Sequence, residues 1–324
     1  MFILACSHKP ELHSFSGGAL GTGYRVQFYG EKPFPVQHKF DSVIDAVNGS
    51  MSTYIKDSDI SRINRGDTSV VVDSMFREVL SLSRKIYEAT DGYYDPTVGV
   101  LVNAYGFGPG KRLKVLDSSH IDSLKQYVGL DKLKLSPKGQ VRMDKTGMYL
   151  DFNSIAKGYC IDRIGAMLEA NGIDNYLIEL GGELLADGTN LSKKSPWSVG
   201  IENIDSPVEN RSYSKTVSLI DKGMAGSGNY RKFRVDSVTG ERYVHTINPI
   251  TGHATRSNIL SATVIAATCA KADGYATAFM AMGLERSKKL LGTIDGVDAY
   301  LLYDDQKGGT KVFKSAGFDK FLNE

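Results

Sequence analysis

The chain has 324 residues, 41% hydrophobic and 23% charged, which suits an ordinary globular protein with one large core or two domains. Its 39 Lys+Arg against 37 Asp+Glu leave a net charge of +2, so composition makes no electrostatic case for nucleic acid. No apolar run reaches the length of a transmembrane helix, and three cysteines make a disulfide framework unexpected.

At the start, Met1-Phe-Ile-Leu-Ala-Cys6-Ser7 resembles the end of a bacterial lipoprotein signal, where a small residue precedes the Cys that is lipidated. The positive region and most of the apolar core of such a signal are missing. Either translation begins further upstream, or Cys6 is incidental in a frayed tail; the rest of the chain favours the first. Residues 1–16 are therefore read as a signal remnant and tail, and residues 17–324 as one folded unit.

Gly23–Tyr29 reads as a strand and Val36–Met51 as a helix, followed by Met51-Ser-Thr-Tyr54. Asp57-Ser-Asp-Ile-Ser61-Arg-Ile-Asn64 predicts a capped turn entering a short helix. Met75, Val79, Leu80, Leu82 and Ile86 mark an amphipathic helix over Asp73–Thr90, closed at Asp91-Gly92. Next comes Asp91-Gly-Tyr93-Tyr94-Asp95-Pro-Thr-Val-Gly99, whose aromatics and acid would suit a planar heterocycle with exchangeable N–H groups, although core tyrosines are the commoner explanation. The glycine-rich loop Tyr105–Gly110 leads to a helix over His120–Val128.

The segment Asp151-Phe-Asn-Ser154-Ile-Ala-Lys157-Gly158-Tyr159 follows a short apolar run and opens a helix with Ile155, Tyr159, Ile161, Ile164 and Leu168 at helical spacing and a stop at Gly172. A helix N-terminus with a close-approach glycine can hold an anion. Lys157 adds a point charge there, and Asp151 can accept from a ribose or a flavin ring N–H. The same pattern also fits an ordinary strand-to-helix junction. Strands are expected at 175–180, 197–201, 215–220, 242–247 and 261–268, helices at 271–282 and 284–291, and a final strand at 299–303. Leu180-Gly181-Gly182-Glu183 ends a strand with room for close approach, and Gly223–Tyr230 reads as a small-residue loop, either ligand-facing or simply a flexible hairpin.

Asp273 and Thr277 lie four apart on one helical face, so a carboxylate and a hydroxyl point the same way. Hard oxygens suit Mg²⁺, but an acid near a helix start is also stabilised by the helix dipole alone. His245 stands beside a Pro/Gly turn, well placed for a general base. His253 reads as a capping or surface residue, His8, His13, His38 and His120 as lying in polar surroundings without pairing, Cys160 and Cys269 as buried thiols, and no zinc spacing appears. No P-loop, dinucleotide fingerprint, nucleophile elbow or kinase signature is present. With no linker or repeat to divide it, the chain is read as an α/β, mixed α+β fold: a single interleaved unit with mixed sheets and flanking helices.

Taken together, these segments resemble the ApbE family of FAD:protein FMN transferases from about Gly18 to Leu302. Leu20-Gly-Thr is similar to the family's opening Met-Gly-Thr. Met51–Tyr54 with 57–64, Asp91–Gly99 with Leu101-Val-Asn and Gly-Phe-Gly-Pro, Asp151–Gly158, Gly181-Gly182, Ser227-Gly-Asn-Tyr230, His245–Gly252 and Asp273-x-x-x-Thr277 follow in family order. Asn153 replaces a glycine, Glu183 sits where Asn or Asp is usual, and Asn248 sits where Asp often follows. The resemblance implies FAD contacts from Leu20, Tyr54, Tyr93, Tyr94, Asp95, Asp151, Lys157 and Ile247. It implies Mg²⁺ on the side chains of Asp273 and Thr277 and the carbonyl of Ser154, with Ala276 nearby, and His245 as base. The implied reaction moves FMN from FAD to a threonine hydroxyl of an exported or membrane electron-transfer flavoprotein, with AMP released. It also implies a protein on the outer face of the cytoplasmic membrane, anchored only by lipid at Cys6. A Mg²⁺-dependent FAD pyrophosphatase and a non-catalytic flavin-binding lipoprotein are the alternatives.

Overall fold

The computed structural model describes residues 10–30, 35–204, 206–207, 210, 212–229, 233–235, 242–254, 257–305 and 309–323, with 233–235 and 242–243 described by backbone alone. Cys6 and Tyr230 lie outside the described residues. The frame is an eight-stranded sheet. Its strands, in chain order, are β1 (Glu11–Ala19), β2 (Thr22–Gly30), β5 (Tyr176–Leu180), β6 (Glu183–Asp187), β9 (Lys222–Gly228), β12 (Ile259–Ala266), β13 (Val297–Asp304) and β14 (Thr310–Lys314), and they lie side by side in that same order. Three two-stranded ribbons complete the strands: β3 (Leu133–Leu135) with β4 (Val141–Met143), β7 (Trp197–Glu202) with β8 (Tyr213–Leu219), and β10 (Phe233–Val235) with β11 (Arg242–Val244). Where mixed sheets were expected, every ladder is antiparallel, and the described parallel pairing is a single bridge between Val98 and Tyr149. The α+β class holds.

Side-chain alternation divides the sheet into two buried faces. Leu185, Ala225, Val264, Ala299 and Leu301 point into the larger core, beneath α1 (Val36–Met51), α3 (Ser74–Ala89), α6 (Ala156–Glu169) and α7 (Cys269–Met282). Their neighbours Leu184, Met224, Ile265, Tyr300 and Leu302 point the opposite way, under β7, β8 and a C-terminal turn carrying Phe318 and Phe321. A third cluster of Leu101, Tyr105, Ile121, Val128 and Ile247 lies beneath α4 (Gly99–Tyr105) and α5 (Ser118–Lys125). The short helices α2 (Asp59–Asn64) and α8 (Leu284–Leu291) fill the edges.

Local signals hold where they are strongest. The helix α1 has the expected bounds. Helix α3 is capped by Asp73, whose side chain accepts from the Phe76 N–H at 2.7 Å, and is followed by Asp91 and Gly92 at positive φ. Ser58 caps α2 by accepting from Ser61 N–H.

Four expectations change. Residues 11–16, placed in the tail, pair with β2. Of the segment read as a loop at 223–230, residues 223–228 belong to β9, an interior strand; a Cβ on Gly223 would come 2.3 Å from the Cys269 nitrogen, so glycine lets α7 lie on that strand. The strand at 297–304 is not the last, since β14 follows. His120 is not isolated, for its Nδ1 lies 2.7 Å from Asp117 Oδ1. Cys160 and Cys269 are buried free thiols, as expected.

Candidate active site

The centre of the site is the crossing of α6 and α7. A Cβ on Gly158 would lie 2.6 Å from the Cys269 carbonyl oxygen, so glycine permits the two helix starts to meet. Each start is then capped by an aspartate of the other helix. Gly158 N–H donates to Asp273 Oδ2 at 3.1 Å, while Cys269 and Ala270 N–H donate to Asp162 Oδ1 and Oδ2 at 2.7 and 2.9 Å. Thr268 serves Lys271 N–H at 3.2 Å. Three first-turn N–H groups, of Gly158, Cys269 and Ala270, thus find their acceptors across the interface. Asp162 was not singled out from sequence, since a polar residue mid-helix gives no local cue to a partner more than a hundred positions away.

Burial raises the pKa of Asp273, opposed by Lys157 and the Gly158 hydrogen bond. Burial likewise pushes Asp162 up to about 7 against its two backbone donors. Asp162 is only half-buried as a residue, but its carboxyl head sits among protein atoms, and the head decides ionisation. Lys157, in the first turn of α6, pairs with Glu183 at the head of β6. Burial would lower the lysine, but Glu183 and Asp273 together hold it up. Burial also raises Glu183, and Lys157 only partly offsets this. The direct contact favours the charged pair.

Around this centre the predicted segments converge. Ser154, in the turn before α6, donates from Oγ to the Tyr94 hydroxyl at 3.4 Å, and Tyr94 OH lies 3.3 Å from Ser83 Oγ. Asp151 Oδ1 accepts from Asn153 N–H at 2.8 Å, and its own N–H donates to the Pro96 carbonyl at 2.7 Å, which ties the 91–99 loop to the start of α6. Asn64 grips the same segment, donating to the Leu150 carbonyl and accepting from its N–H, both at 2.8 Å. Asn153 Nδ2 reaches Thr53 Oγ1 at 3.4 Å, placing Tyr54, which is 64% exposed, beside the loop. Burial and the Asp151 charge raise the Tyr54 hydroxyl. Leu20 and Gly21, both at positive φ, make the β1–β2 turn. The β5–β6 turn lies against it: Gly181 N–H donates to the Gly23 carbonyl at 3.0 Å.

Two side chains of the 91–99 loop serve the fold instead. Tyr94 is wholly buried. Asp95 Oδ1 accepts from Thr97 N–H and Oγ at 2.8 and 2.6 Å, and Oδ2 accepts from Leu130 N–H at 3.2 Å; burial lifts this acid to about 6. Tyr93 is half-buried with the Arg286 guanidinium 5.2 Å from its ring centre. Gly108 and Gly110 wrap the Asn103 side chain, whose Oδ1 accepts from Gly110 N–H at 2.8 Å.

His245 directly follows β11 and is half-buried. The next turn is built by Asn248, whose Oδ1 accepts from Ile250 and Thr251 N–H at 2.9 and 3.2 Å. Ile247 packs into the α4–α5 cluster, and Thr246 donates to Asn229 Oδ1 at 3.1 Å, linking this turn to the end of β9. Thr277 is half-buried one turn along α7 from Asp273, and Ala276 is wholly buried. Among the described residues no group of three or more His, Cys, Asp or Glu could hold a metal ion. A cation here would rely on mixed oxygen donors. His253 is exposed, as expected.

The ApbE family model matches residues 20–301. The chain belongs to the ApbE family. Relatives named FAD:protein FMN transferase include that of Haemophilus influenzae, 32% identical over 99% of this chain and 94% of the relative, and that of Vibrio cholerae, 31% identical over 100% and 97%. The solved structure of flavin transferase ApbE from Vibrio cholerae superposes with a TM-score of 0.85 at 30% identity, covering 97% of this chain and all of that one. The α6–α7 crossing and its surrounding turns all fall within the ApbE match.

Proposed function

We infer that this chain is an FAD:protein FMN transferase. The likeness to relatives of that name, end to end along the chain, carries the reading. We further assign FAD contacts to Leu20, Tyr54, Tyr93, Tyr94, Asp95, Asp151, Lys157 and Ile247, with Tyr94 and Asp95 contributing through backbone because their side-chain polar groups already serve the protein.

The donors at the α6–α7 crossing suit Mg²⁺. Asp273 keeps Oδ1 clear of hydrogen bonds among the described residues while Oδ2 is held by Gly158. The Thr277 hydroxyl and the carbonyl of Ser154, with Ala276 nearby, are the hard neutral oxygens this ion accepts. When bound there, Mg²⁺ supplies neutralisation of the charge that develops on a transferring phosphoryl group. The chain's own residues do the rest. Lys157 and the start of α6 hold the pyrophosphate of FAD. A threonine hydroxyl of the acceptor attacks the FMN phosphorus, the phosphorus–oxygen bond to AMP breaks, and His245 takes the hydroxyl proton. AMP leaves, and FMN remains on the acceptor as a phosphoester.

The acceptor is an exported or membrane electron-transfer flavoprotein on this reading, and Cys6 is the site of a lipid anchor at the outer face of the cytoplasmic membrane. Among the described residues no helix is long and apolar enough to cross a membrane. Incubating the protein with FAD, Mg²⁺ and a candidate acceptor, then reading flavin fluorescence in a denaturing gel, tests the function. A fluorescent acceptor band that disappears when its threonine is changed to alanine is expected. FMN and AMP formed at the same rate without any labelled acceptor would replace transfer by hydrolysis, and FAD left intact would remove the catalytic reading.

A further inference from the structure

Glu183 has surroundings that give it a role beyond the fold. Backbone geometry fixes its position: Gly181 and Gly182 turn the chain at φ of 67° and 105°, and a Cβ on Gly181 would come 2.7 Å from Thr22 Cγ2. The Glu183 side chain then runs inward and is 4% exposed. Oε1 meets the Lys157 ammonium, while Oε2 is buried with no hydrogen-bond partner. Glu183 is the carboxylate in contact with the Lys157 ammonium; Asp273, held by the N–H of the neighbouring Gly158, attracts the same ammonium through space. The trio carries one net negative charge. A buried carboxylate with one orphaned oxygen, paired to a lysine that is itself only half-buried, is a poor way to stabilise a fold, because desolvation offsets the attraction and the second oxygen gains nothing.

We propose that Glu183 is a positioning residue for the divalent-cation site: it holds the Lys157 ammonium off Asp273 and leaves the site negative enough to draw the cation in. This rests on Asp273 being the charged ligand. Without the Glu183 charge, Lys157 neutralises Asp273, and an incoming cation must displace it.

Titration calorimetry of the full chain with Mg²⁺ alone, without FAD, tests this alongside melting temperatures. Glu183→Gln keeps the shape and a hydrogen bond to Lys157 but removes the charge. It should weaken Mg²⁺ binding on the order of tenfold, with the melting temperature unchanged or raised. Lys157→Met should tighten Mg²⁺ binding while weakening that of FAD. The double variant Glu183→Gln with Lys157→Met restores the single negative charge and should return Mg²⁺ affinity to near the parent value. A simple loss of packing at Glu183 would give no such rescue. Parent-like Mg²⁺ affinity in Glu183→Gln, or failure of the double variant to recover, overturns the proposal provided Asp273→Ala abolishes binding. Undiminished binding in Asp273→Ala overturns the reading of Asp273 as ligand and takes the proposal with it.

Discussion

On the proposed reading Asp273 has two duties on one carboxylate. Oδ2 caps α6 through Gly158, and Oδ1, clear of hydrogen bonds among the described residues, is the oxygen proposed for the cation. Asp273→Asn should therefore keep much of the cap and the fold while transfer falls at least a hundredfold, since the single formal charge among the proposed ligands is lost. Thr277→Val should raise the Mg²⁺ requirement more mildly. Stopped assays over a Mg²⁺ series decide this, and full activity of Asp273→Asn at low Mg²⁺ would remove the site as drawn. His245 is assigned to the acceptor, not to FAD. Its replacement by alanine should leave FAD affinity, followed by quenching of flavin fluorescence, nearly unchanged, and transfer should drop about a hundredfold to ten-thousandfold, the usual worth of a positioned base. A parallel loss of FAD binding would make it a cofactor contact instead.

The reciprocal caps between α6 and α7 place the donors proposed for the cation. Asp162 touches no proposed ligand, yet it holds the first turn of the helix that carries Asp273 and Thr277. Asp162→Ala leaves two backbone N–H groups without their acceptor and should cost about 1–3 kcal/mol. Gly158→Ala should cost about 1–3 kcal/mol by overpacking, because the Cys269 and Ala270 backbone it meets cannot rotate away as a side chain would. Urea unfolding measures both. A neutral Gly158→Ala would mean that the helices separate more easily than the crossing implies.

The sheet is covered on both faces, so buried acids at its helical side report on the whole molecule. Asp95 and Asp162 titrate at about 6 and about 7 in the folded state, raised by burial, against about 4 in an unfolded chain. Between those values the folded protein binds protons that the unfolded chain does not. Their stabilisation is therefore full below pH about 4 and is lost as pH rises through 6 to 7. Asp67 and Asp117, lowered to about 2 mainly by hydrogen bonds, act in the opposite sense below pH about 4, but both are solvent-screened and weigh little. Calorimetry from pH 8 to pH 5.5 should show the melting temperature rising as pH falls, and Asp162→Asn should flatten the upper part of that slope. A melting temperature that falls over this range would contradict the burial of these acids.

Much was legible without coordinates where the signal is local. The bounds of α1, the Asp91-Gly92 stop of α3 and the order of the motifs follow from spacing and turn residues over a few positions. The resemblance carried the site residues as a set. It did not show that the Asp95 carboxylate and the Tyr94 hydroxyl face inward, because that depends on Leu130, Ser83 and Ser154 being brought beside them. Strand β9 escaped because its glycines and small residues lack alternation; Gly223 makes room for the start of a helix, Cys269, that lies far along the chain. The crossed caps of Asp162 and Asp273 and the Lys157–Glu183 pair join residues far apart in the chain, and no local rule connects them. Sequence alone determined the elements with strong local signals, such as α1 and α3, and the chemistry available to them. Tertiary structure decided which carboxylate holds a helix, which holds a lysine, and which is left open to a ligand, because burial and partner distance exist only once the elements have met.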